Sequence, residues 1–231
     1  MTIKNMDLGK TKKIKNQWNK VYDSFKYDRI SVWSEDANLF FKSKIKFLKK
    51  QGVKNVLDAG CGDGRNLFAF AKAGFKVTGI DISSSAIKKS KKLCKKFSNV
   101  ILKEGSLEKI NLIHKKFDVI LSDHTLVHIQ DIEKVIKNFH SILKNKGYVI
   151  LEFTSIKDPL YGKGKNIGEN EFIQEDVYVR FFTIPVIKKL LKKFKIISIN
   201  LKHFTQPQHG PGYYRKKRHV HYSFFVVAQK I

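Results

Sequence analysis

The sequence predicts an α/β fold: a mostly parallel, seven-stranded sheet flanked by helices, with an antiparallel strand pair at its C-terminal edge. From Lys54 onward, short runs rich in Val, Ile and Leu alternate with segments of helical periodicity. That alternation is typical of a parallel sheet covered by helices on both faces, and strands this apolar suit burial on both sides. Near the end of the chain, two strand-like runs flank a segment whose Gly and Pro interrupt regular structure, which predicts the closing pair.

Each element has a local justification. Val, Ile and Leu dominate the strand segments, and the helical segments carry apolar residues at helical spacing with lysines between them. Thr183 and Pro185 suit the N-cap and first turn of a late helix. The predicted strands lie at residues 55–60, 75–81, 99–105, 117–123, 147–153, 194–204 and 219–231, and the predicted helices at 66–74, 84–97, 131–144 and 183–194.

The length of 231 residues suits one domain, spanning residues 1–231, with a single sizeable core. Residues 11–50 carry aromatic and apolar residues at helical spacings, so residues 1–50 are predicted to form a helical cap on a core of residues 51–231. The segment 154–180 is glycine-bearing and lacks a clear period. A loop of that length in a compact domain is usually functional, and a lid is expected here.

Composition narrows the setting. Cys61 and Cys94 have no paired spacing, so neither a disulfide framework nor a zinc knuckle is indicated, and a reducing, cytoplasmic location is expected. No apolar run is long enough for membrane insertion, and the basic N-terminus lacks a signal-peptide core. The formal net charge is +26, from 46 Lys and Arg against 20 Asp and Glu. This charge fits either a compositional bias or a nucleic-acid or other anionic partner.

The stretch VLDAGCGDG predicts a ligand-binding turn. Gly60, Gly62 and Gly64 fall in the first strand-to-helix turn, where open parallel sheets bind ligands. Glycine admits positive φ and the close approach of a ligand. Arg65 stands where the dinucleotide fingerprint needs its third glycine, so that fingerprint does not match. No Gly-Lys-Ser/Thr follows either, so the phosphate loop is also excluded.

Two acids identify the kind of ligand. Asp58 ends the strand beside the glycine turn, and a carboxylate there repels a pyrophosphate by on the order of a kcal/mol or more. It favours a cationic nucleoside such as S-adenosylmethionine, which carries a sulfonium and an ammonium group. Asp81 ends the next strand, where an acid accepts hydrogen bonds from ribose hydroxyls, and Ile82 can pack on the adenine. Helix capping is an alternative role for Asp81, but the serines at 83–85 can serve equally well.

These motifs resemble those of class I S-adenosylmethionine-dependent methyltransferases. VLDAGCGDG is similar to the first motif of that family, VTGIDIS to the second, and FDVILSDHTLVHI and LKNKGYVILEF to those of the fourth and fifth strands. The resemblance covers residues 50–155 well and the closing strands loosely. The first two motifs, with TSIKDPLYGKGK followed by RFFT, look most like the small-molecule branch related to tellurite-resistance and ubiquinone-biosynthesis methyltransferases.

The resemblance implies a Rossmann-like fold and roles for individual residues. Asp58 and the Gly60 and Gly62 backbone would hold the methionine end of the cofactor, and Asp81 its ribose. The family often has an acid at the position of Ser106, so the contact with the adenine amine is in question. The remaining implied cofactor contacts are Ser106 and Leu107 at the adenine, Asp123 near the methionine moiety or substrate, and Trp18 and Tyr22 as a closing cap, although core packing is an equal alternative for the two aromatics.

Methyl transfer is an in-line displacement at an activated carbon, so the protein must mainly align the acceptor, exclude water and in some cases remove a proton. No metal is required for this. His124 and His128 follow the fourth strand and are the catalytic candidates. Their spacing puts them on one helical face if a helix starts there, and satisfied histidines at a helix start are the alternative.

Four late histidines, at 203, 209, 219 and 221, invite a metal site. The two in HVH share one strand face, but neither cysteines nor an acid cluster accompany them in sequence. We therefore predict no metal, and expect a substrate pocket or edge packing. The predicted substrate contacts are Trp33, Tyr161, His209 and Tyr213.

Three functions follow from the sequence. Methyl transfer to a small molecule is favoured, with the N-terminal helices and the segment 154–180 closing the pocket. SDHT after the fourth strand lacks the Asn/Asp-Pro-Pro-aromatic pattern of exocyclic-amine methylation and has no cysteine for cytosine C5 chemistry. The alternatives are a methyltransferase acting on RNA or another macromolecule, docked through basic residues near HGPGYYRKKRH, and a non-catalytic module that only binds the cofactor.

Overall fold

The computed structural model describes residues 3–24, 38–112, 115–206 and 219–231. Its ten strands are β1 (Asn55–Ala59), β2 (Lys76–Asp81), β3 (Val100–Glu104), β4 (Phe117–Ser122), β5 (Leu143–Thr154), β6 (Lys165–Gly168), β7 (Glu171–Gln174), β8 (Val177–Arg180), β9 (Phe194–Gln206) and β10 (His219–Lys230). Seven of them form one sheet in the order β3-β2-β1-β4-β5-β10-β9. β1 to β5 pair in parallel, whereas β10 is antiparallel to both β5 and β9. The predicted fold class is confirmed, closing strand pair included.

Helices flank this sheet. They are α1 (Ile3–Asp23), α2 (Leu39–Ser43), α3 (Ile45–Lys50), α4 (Arg65–Lys72), α5 (Ser84–Leu93), α6 (Ile132–Ile142) and α7 (Ile184–Leu190), with short 3₁₀ turns at Leu107–Leu112 and Leu126–His128. Among the described residues, none of the helices combines the length and apolarity needed to cross a membrane.

Both faces of the sheet are buried, as the apolar strands predicted. Leu57 and Ile120 pack on one face with Phe139 of α6. Their neighbours along the strands point the other way, so Val56 packs on the opposite face with Phe70 of α4. Each fully buried side chain of this kind contributes about 1.5–3 kcal/mol to folding. This rigid core holds the carboxyl ends of the central strands in fixed positions.

Side-chain caps fix where the helices beside those strand ends begin. The Ser83 hydroxyl accepts a hydrogen bond from the Ala86 amide at 3.1 Å and so caps α5. Asn19 of α1 accepts a hydrogen bond from the same Ser83 hydroxyl at 2.8 Å, which fastens α1 over the start of α5. The carboxylate of Asp131 accepts from the Lys134 amide at 3.1 Å and caps α6. The sequence thus encodes both the helices and the attachment of α1.

The segment predicted as an irregular lid is more ordered than expected. Strands β6, β7 and β8 form a separate antiparallel sheet within it. Glu175 and Asp176 link β7 to β8 with φ of 46° and 66°, the left-handed pair that a two-residue hairpin needs. Neither residue is the usual Asn or Gly, so the turn had no recognisable sequence signal. This small sheet packs through Phe172 against Val127, beside the end of β4.

Candidate active site

A cleft with a volume of about 1340 Å³, counted together with the open solvent at its mouth, lies at the carboxyl ends of the parallel strands and is partly covered by α1. Open α/β sheets bind ligands at this edge. Most of the predicted site residues line it, namely Trp18, Tyr22, Gly60, Gly62, Asp81, Ile82, Ser106, Leu107, Asp123, His124 and His128. Asp58, Gly64 and Tyr161 are not among the lining residues, and Trp33, His209 and Tyr213 lie outside the described residues.

The strand order divides the cleft into two ends. Asp81 is the last residue of β2 and Ser106 follows β3. With Gly105 and Glu108 they form what we term the carboxylate end. His124 follows β4, and with His128 and His221 of β10 it forms the histidine end. Four strand spacings separate β2 from β10, roughly 19 Å at about 4.8 Å each. The cleft is long enough for an extended nucleoside and a second small molecule.

The glycine turn between the two ends is tightly packed. Gly60 and Gly62 have φ of 78° and 55°, which residues with a Cβ rarely adopt. A Cβ on Gly60 would lie 2.2 Å from Thr125 Oγ1, and one on Gly62 would lie 2.6 Å from the Tyr22 hydroxyl. Gly64, with φ of 97°, similarly abuts Ser90 of α5. Glycine therefore serves two purposes at these positions. It allows the positive φ of the turn, and it leaves room for neighbouring protein groups.

Asp81 is the best-anchored acid at the carboxylate end. Its two oxygens accept hydrogen bonds from the Gly62 amide at 2.9 Å and the Ser83 amide at 2.8 Å. Burial raises the pKa of Asp81 to about 6, with these amide hydrogen bonds opposing the shift. Ser83, not Asp81, supplies the side-chain cap of α5. Each Asp81 oxygen retains a second acceptor position that can face the cleft.

The Asp58 carboxylate is buried away from the cleft, so it is not placed to contact a ligand there directly. Its side chain is 1% exposed, and neither oxygen accepts a hydrogen bond of ordinary geometry within the described structure. Burial, followed by the nearby charge of Asp123, raises the pKa of Asp58 to about 8, while Arg65 opposes the shift. Asp58 therefore lies behind the wall of the cleft rather than on it.

Asp123 is held by three side chains that were not anticipated. Its carboxylate accepts hydrogen bonds from Arg65 Nη2 at 2.7 Å, Asn66 Nδ2 at 3.0 Å and Asn38 Nδ2 at 2.9 Å. Burial alone would raise the pKa of Asp123, but Arg65 and the other donors outweigh it, so the pKa is lowered. The residue that broke the dinucleotide fingerprint, Arg65, is thus the counterion of Asp123 and also lines the cleft.

His124 is held in a strained position by Glu152. Its φ is 50°, uncommon for a residue with a side chain, and its amide donates to Glu152 Oε2 at 2.8 Å. His124 Nδ1 lies 3.5 Å from the same oxygen. Nε2 of His124 is buried and has no hydrogen-bond partner among the described residues. Burial raises the pKa of Glu152, which nothing in its local sequence had marked as a site residue.

His128 faces the cleft from a different setting. The two histidines do not share an α-helical face, because only the short 3₁₀ turn Leu126–His128 follows β4. His128 Nδ1 donates to the Tyr178 carbonyl of β8 at 2.9 Å, which leaves the imidazole lone pair on Nε2. Burial lowers the pKa of His128 to about 4. The ring stacks edge-on against Trp18 of α1, with centroids 4.7 Å apart.

His221 completes the histidine end. It is 1% exposed, lines the cleft, and its Nδ1 lies 3.0 Å from Asp158 Oδ2. Its ring centroid is 5.7 Å from that of His124. Sequence reasoning placed no acid near HVH, because Asp158 is 63 residues away along the chain. Only the pairing of β10 with β5 brings the two residues together.

The other predicted residues have simpler outcomes. Ser106 accepts a hydrogen bond from the Glu108 amide at 3.2 Å, and Glu108 supplies an acid two residues beyond the expected position. Tyr161 packs edge-on against Phe172 and Phe181, and its hydroxyl donates to Asn170 Oδ1 at 2.9 Å. It packs against the small sheet and does not line the cleft.

Comparison with known proteins agrees with this architecture. The chain is 30% identical over 139 residues to glycine/sarcosine N-methyltransferase of Aphanothece halophytica, covering 55% of this chain and 50% of that protein. It is 32% identical over 108 residues to ubiquinone biosynthesis O-methyltransferase of Coxiella burnetii, covering 45% and 46%. The chain thus matches about half the length of these curated relatives.

A solved structure and a family model extend the comparison. A SAM-dependent methyltransferase from Methanosarcina mazei superposes with a TM-score of 0.67 at 22% identity, covering 85% of this chain and 99% of that one, which bears on the fold alone. A family model described as "Methyltransferase domain" matches residues 50–180. That match spans more than half of the chain and includes the glycine turn and the carboxyl ends of β1 to β4, and the chain therefore belongs to the methyltransferase domain family.

Proposed function

We propose that this chain transfers a methyl group from S-adenosylmethionine to a nucleophilic atom of a small molecule. One observation carries the proposal: a single cleft joins an acidic end, built for a cationic nucleoside, to an end lined by histidines. Relatives that are named as N- and O-methyltransferases support a small acceptor.

The residues at the carboxylate end fit the cofactor. Asp81 has an acceptor position on each oxygen for the two ribose hydroxyls, beyond the amides that orient it. Ile82 and Leu107 line the same end and can sandwich the adenine, while Glu108 can accept from its amino group. This end offers no phosphate site, because the carboxylates there would repel one.

The middle of the cleft suits the methionine part of the cofactor. The buried carboxylates of Asp58 and Asp123 lie near a single guanidinium, that of Arg65. A sulfonium and an ammonium group would favour the ionised form of Asp58 and balance its charge. Arg65 lines the cleft and can receive the cofactor carboxylate.

The histidine end would align the acceptor and accept its proton. When bound, the cofactor supplies a methyl carbon already activated by the sulfonium. His124 and His128 face the cleft, and an imidazole whose Nδ1–H is fixed by a carbonyl presents Nε2 as a proton acceptor. Trp18 of α1 and the small sheet that packs on Val127 cover this end and would exclude water.

Labelled cofactor tests the proposal. The chain would be incubated with methyl-labelled S-adenosylmethionine and size-fractionated cell extract, with Asp81→Ala as the inactive control. Label in the small-molecule fraction is expected. Label in RNA or protein would indicate a macromolecular acceptor, consistent with the net charge of +26. Tight cofactor binding with no labelled product in any fraction would support a non-catalytic module.

A further inference from the structure

The geometry points to a binding site for a divalent transition-metal ion of the zinc class, held by Nε2 of His219 and Nε2 of His221 at the histidine end. The two residues are two apart on β10 and share one face of the strand. Their Nε2 atoms are 2.8 Å apart. A tetrahedral ion with bonds of about 2.0–2.1 Å separates two nitrogen ligands by about 3.3 Å. Opening the pair by roughly 0.5 Å, within reach of small side-chain rotations, would admit the ion.

The outer surroundings of His221 match those of a metal ligand. Ligating histidines usually donate their other ring N–H to a carboxylate, which fixes the tautomer and the ring. His221 Nδ1 is 3.0 Å from Asp158 Oδ2. Asp158 is itself fixed, because it accepts hydrogen bonds from the amides of Leu160 at 2.9 Å and Tyr222 at 3.0 Å. This arrangement leaves the Nε2 lone pair of His221 directed at His219.

The position of the pair indicates an open site. Within the described part of the chain the pair supplies two of the four ligands of a tetrahedral ion, and further positions are then open to a non-protein ligand, as one is in catalytic metal sites. His221 lines the cleft, so water or an oxygen of the methyl acceptor could fill them. The metal site itself does not depend on the proposed methyl transfer, because binding is measured without turnover.

A second group of potential ligands lies nearby and serves as an internal comparison. Ligand atoms of Asp123, His124 and Glu152 lie within 4.8 Å of one another. Asp123, however, is already bound by Arg65 at 2.7 Å, and the guanidinium would repel a cation. We therefore assign the ion to the pair on β10. Substitutions in that pair should weaken metal binding, whereas a substitution in the second group should not.

The test uses the untagged, full-length chain, titrated with Co²⁺ by visible absorption and with Zn²⁺ in competition with a chromogenic chelator. One equivalent with micromolar affinity is expected. His219→Ala and His221→Ala should each weaken binding by about 100-fold or more, and Asp158→Asn by about 10- to 100-fold. His203→Ala, on the neighbouring strand beside Tyr222, and Glu152→Gln should leave the affinity unchanged.

Thermal melts and S-adenosylmethionine affinity would establish that each variant is folded. His219 is only partly buried, so its replacement keeps the test valid if His221→Ala does not fold. Wild-type binding weaker than millimolar, or unchanged binding by His219→Ala, would overturn the assignment. Loss of binding in Glu152→Gln would move the ion to the other group and overturn it equally.

Discussion

The two ends of the cleft use the same side-chain types in opposite ways. At the carboxylate end, Asp81 is held by backbone amides and can present its remaining acceptor positions to a ligand. At the histidine end, Glu152 and Asp158 are fully buried and turned toward histidines, which face the cleft instead. One end presents negative charge directly to the cleft, whereas the other uses it to orient histidine rings.

This difference separates recognition from chemistry. A cationic nucleoside is bound by charge and hydrogen bonding, so its carboxylates must be close to it. An acceptor losing a proton needs a neutral base near the reacting atom, and burial lowers the pKa of His128 to about 4, so that this imidazole is neutral. Substitutions at the two ends should therefore affect different measured quantities.

The largest effect is expected at Asp81. Asp81→Ala should weaken S-adenosylmethionine binding by about 100-fold or more, because it removes the acceptor for the ribose hydroxyls and for two backbone amides. Calorimetric titration measures the affinity, and circular dichroism checks the fold. The affinity of Asp81→Asn, which keeps one acceptor oxygen, should lie between those of wild type and Asp81→Ala. Wild-type affinity in the alanine variant would contradict the ribose role.

At the histidine end the effect should fall on turnover. His124→Ala and His128→Ala should lower kcat by about 10²- to 10⁴-fold, as expected for loss of a general base, with cofactor affinity changed less than about threefold. His140→Ala on α6, which packs against Phe194 away from the cleft, is the matched control. Equal losses in turnover and cofactor affinity would indicate a structural role instead.

The pH dependence of cofactor binding tests the buried acid between the ends. Asp58 has a pKa of about 8, and a bound cation favours its ionised form. Binding therefore releases a proton, and affinity should rise between pH 6 and 8, by at most about tenfold per pH unit. Asp81, with a pKa of about 6, extends this rise to pH values below 6. Asp58→Asn should flatten the dependence of affinity on pH near pH 8. An unaltered pH profile would show that the charge of Asp58 does not contribute to cofactor binding.

The same shift has a consequence for stability. A carboxyl group whose pKa is raised by folding stabilises the protein below its unfolded value near 3.8, and that stability is lost as pH rises through about 8. Ligand-free Asp58→Asn should therefore melt at a higher temperature than wild type at pH 8, with little difference at pH 4. Calorimetric melts at both values check this, and a lower melting temperature at pH 8 would contradict it.

The smallest effect is expected at Tyr161. Its hydroxyl donates to Asn170 within the small sheet, and the residue does not line the cleft. Tyr161→Phe should change kcat and the KM for the acceptor by less than about twofold, measured with the acceptor found in the labelling experiment. A large rise in KM would return Tyr161 to the substrate contacts expected from the sequence.

Much of the carboxylate end could be predicted because its signals are local. Gly60, Gly62 and Asp81 belong to strand–turn–helix units, and within each unit the position of a residue fixes its place at the strand end. Glu152 and Asp158 gave no such signal. A glutamate within an apolar strand and an aspartate in a lid segment have no characteristic spacing from the histidines they bind.

The sequence by itself determined the alternation of strands and helices, the glycine turn and the acids that favour a cationic nucleoside, because these depend on periodicity and neighbouring residues. The tertiary structure decided that Asp58 is buried behind the cleft, that Arg65 binds Asp123, and that Asp158 meets His221. Those outcomes depend on sheet order and strand pairing, which join residues far apart in the chain and which no local pattern encodes.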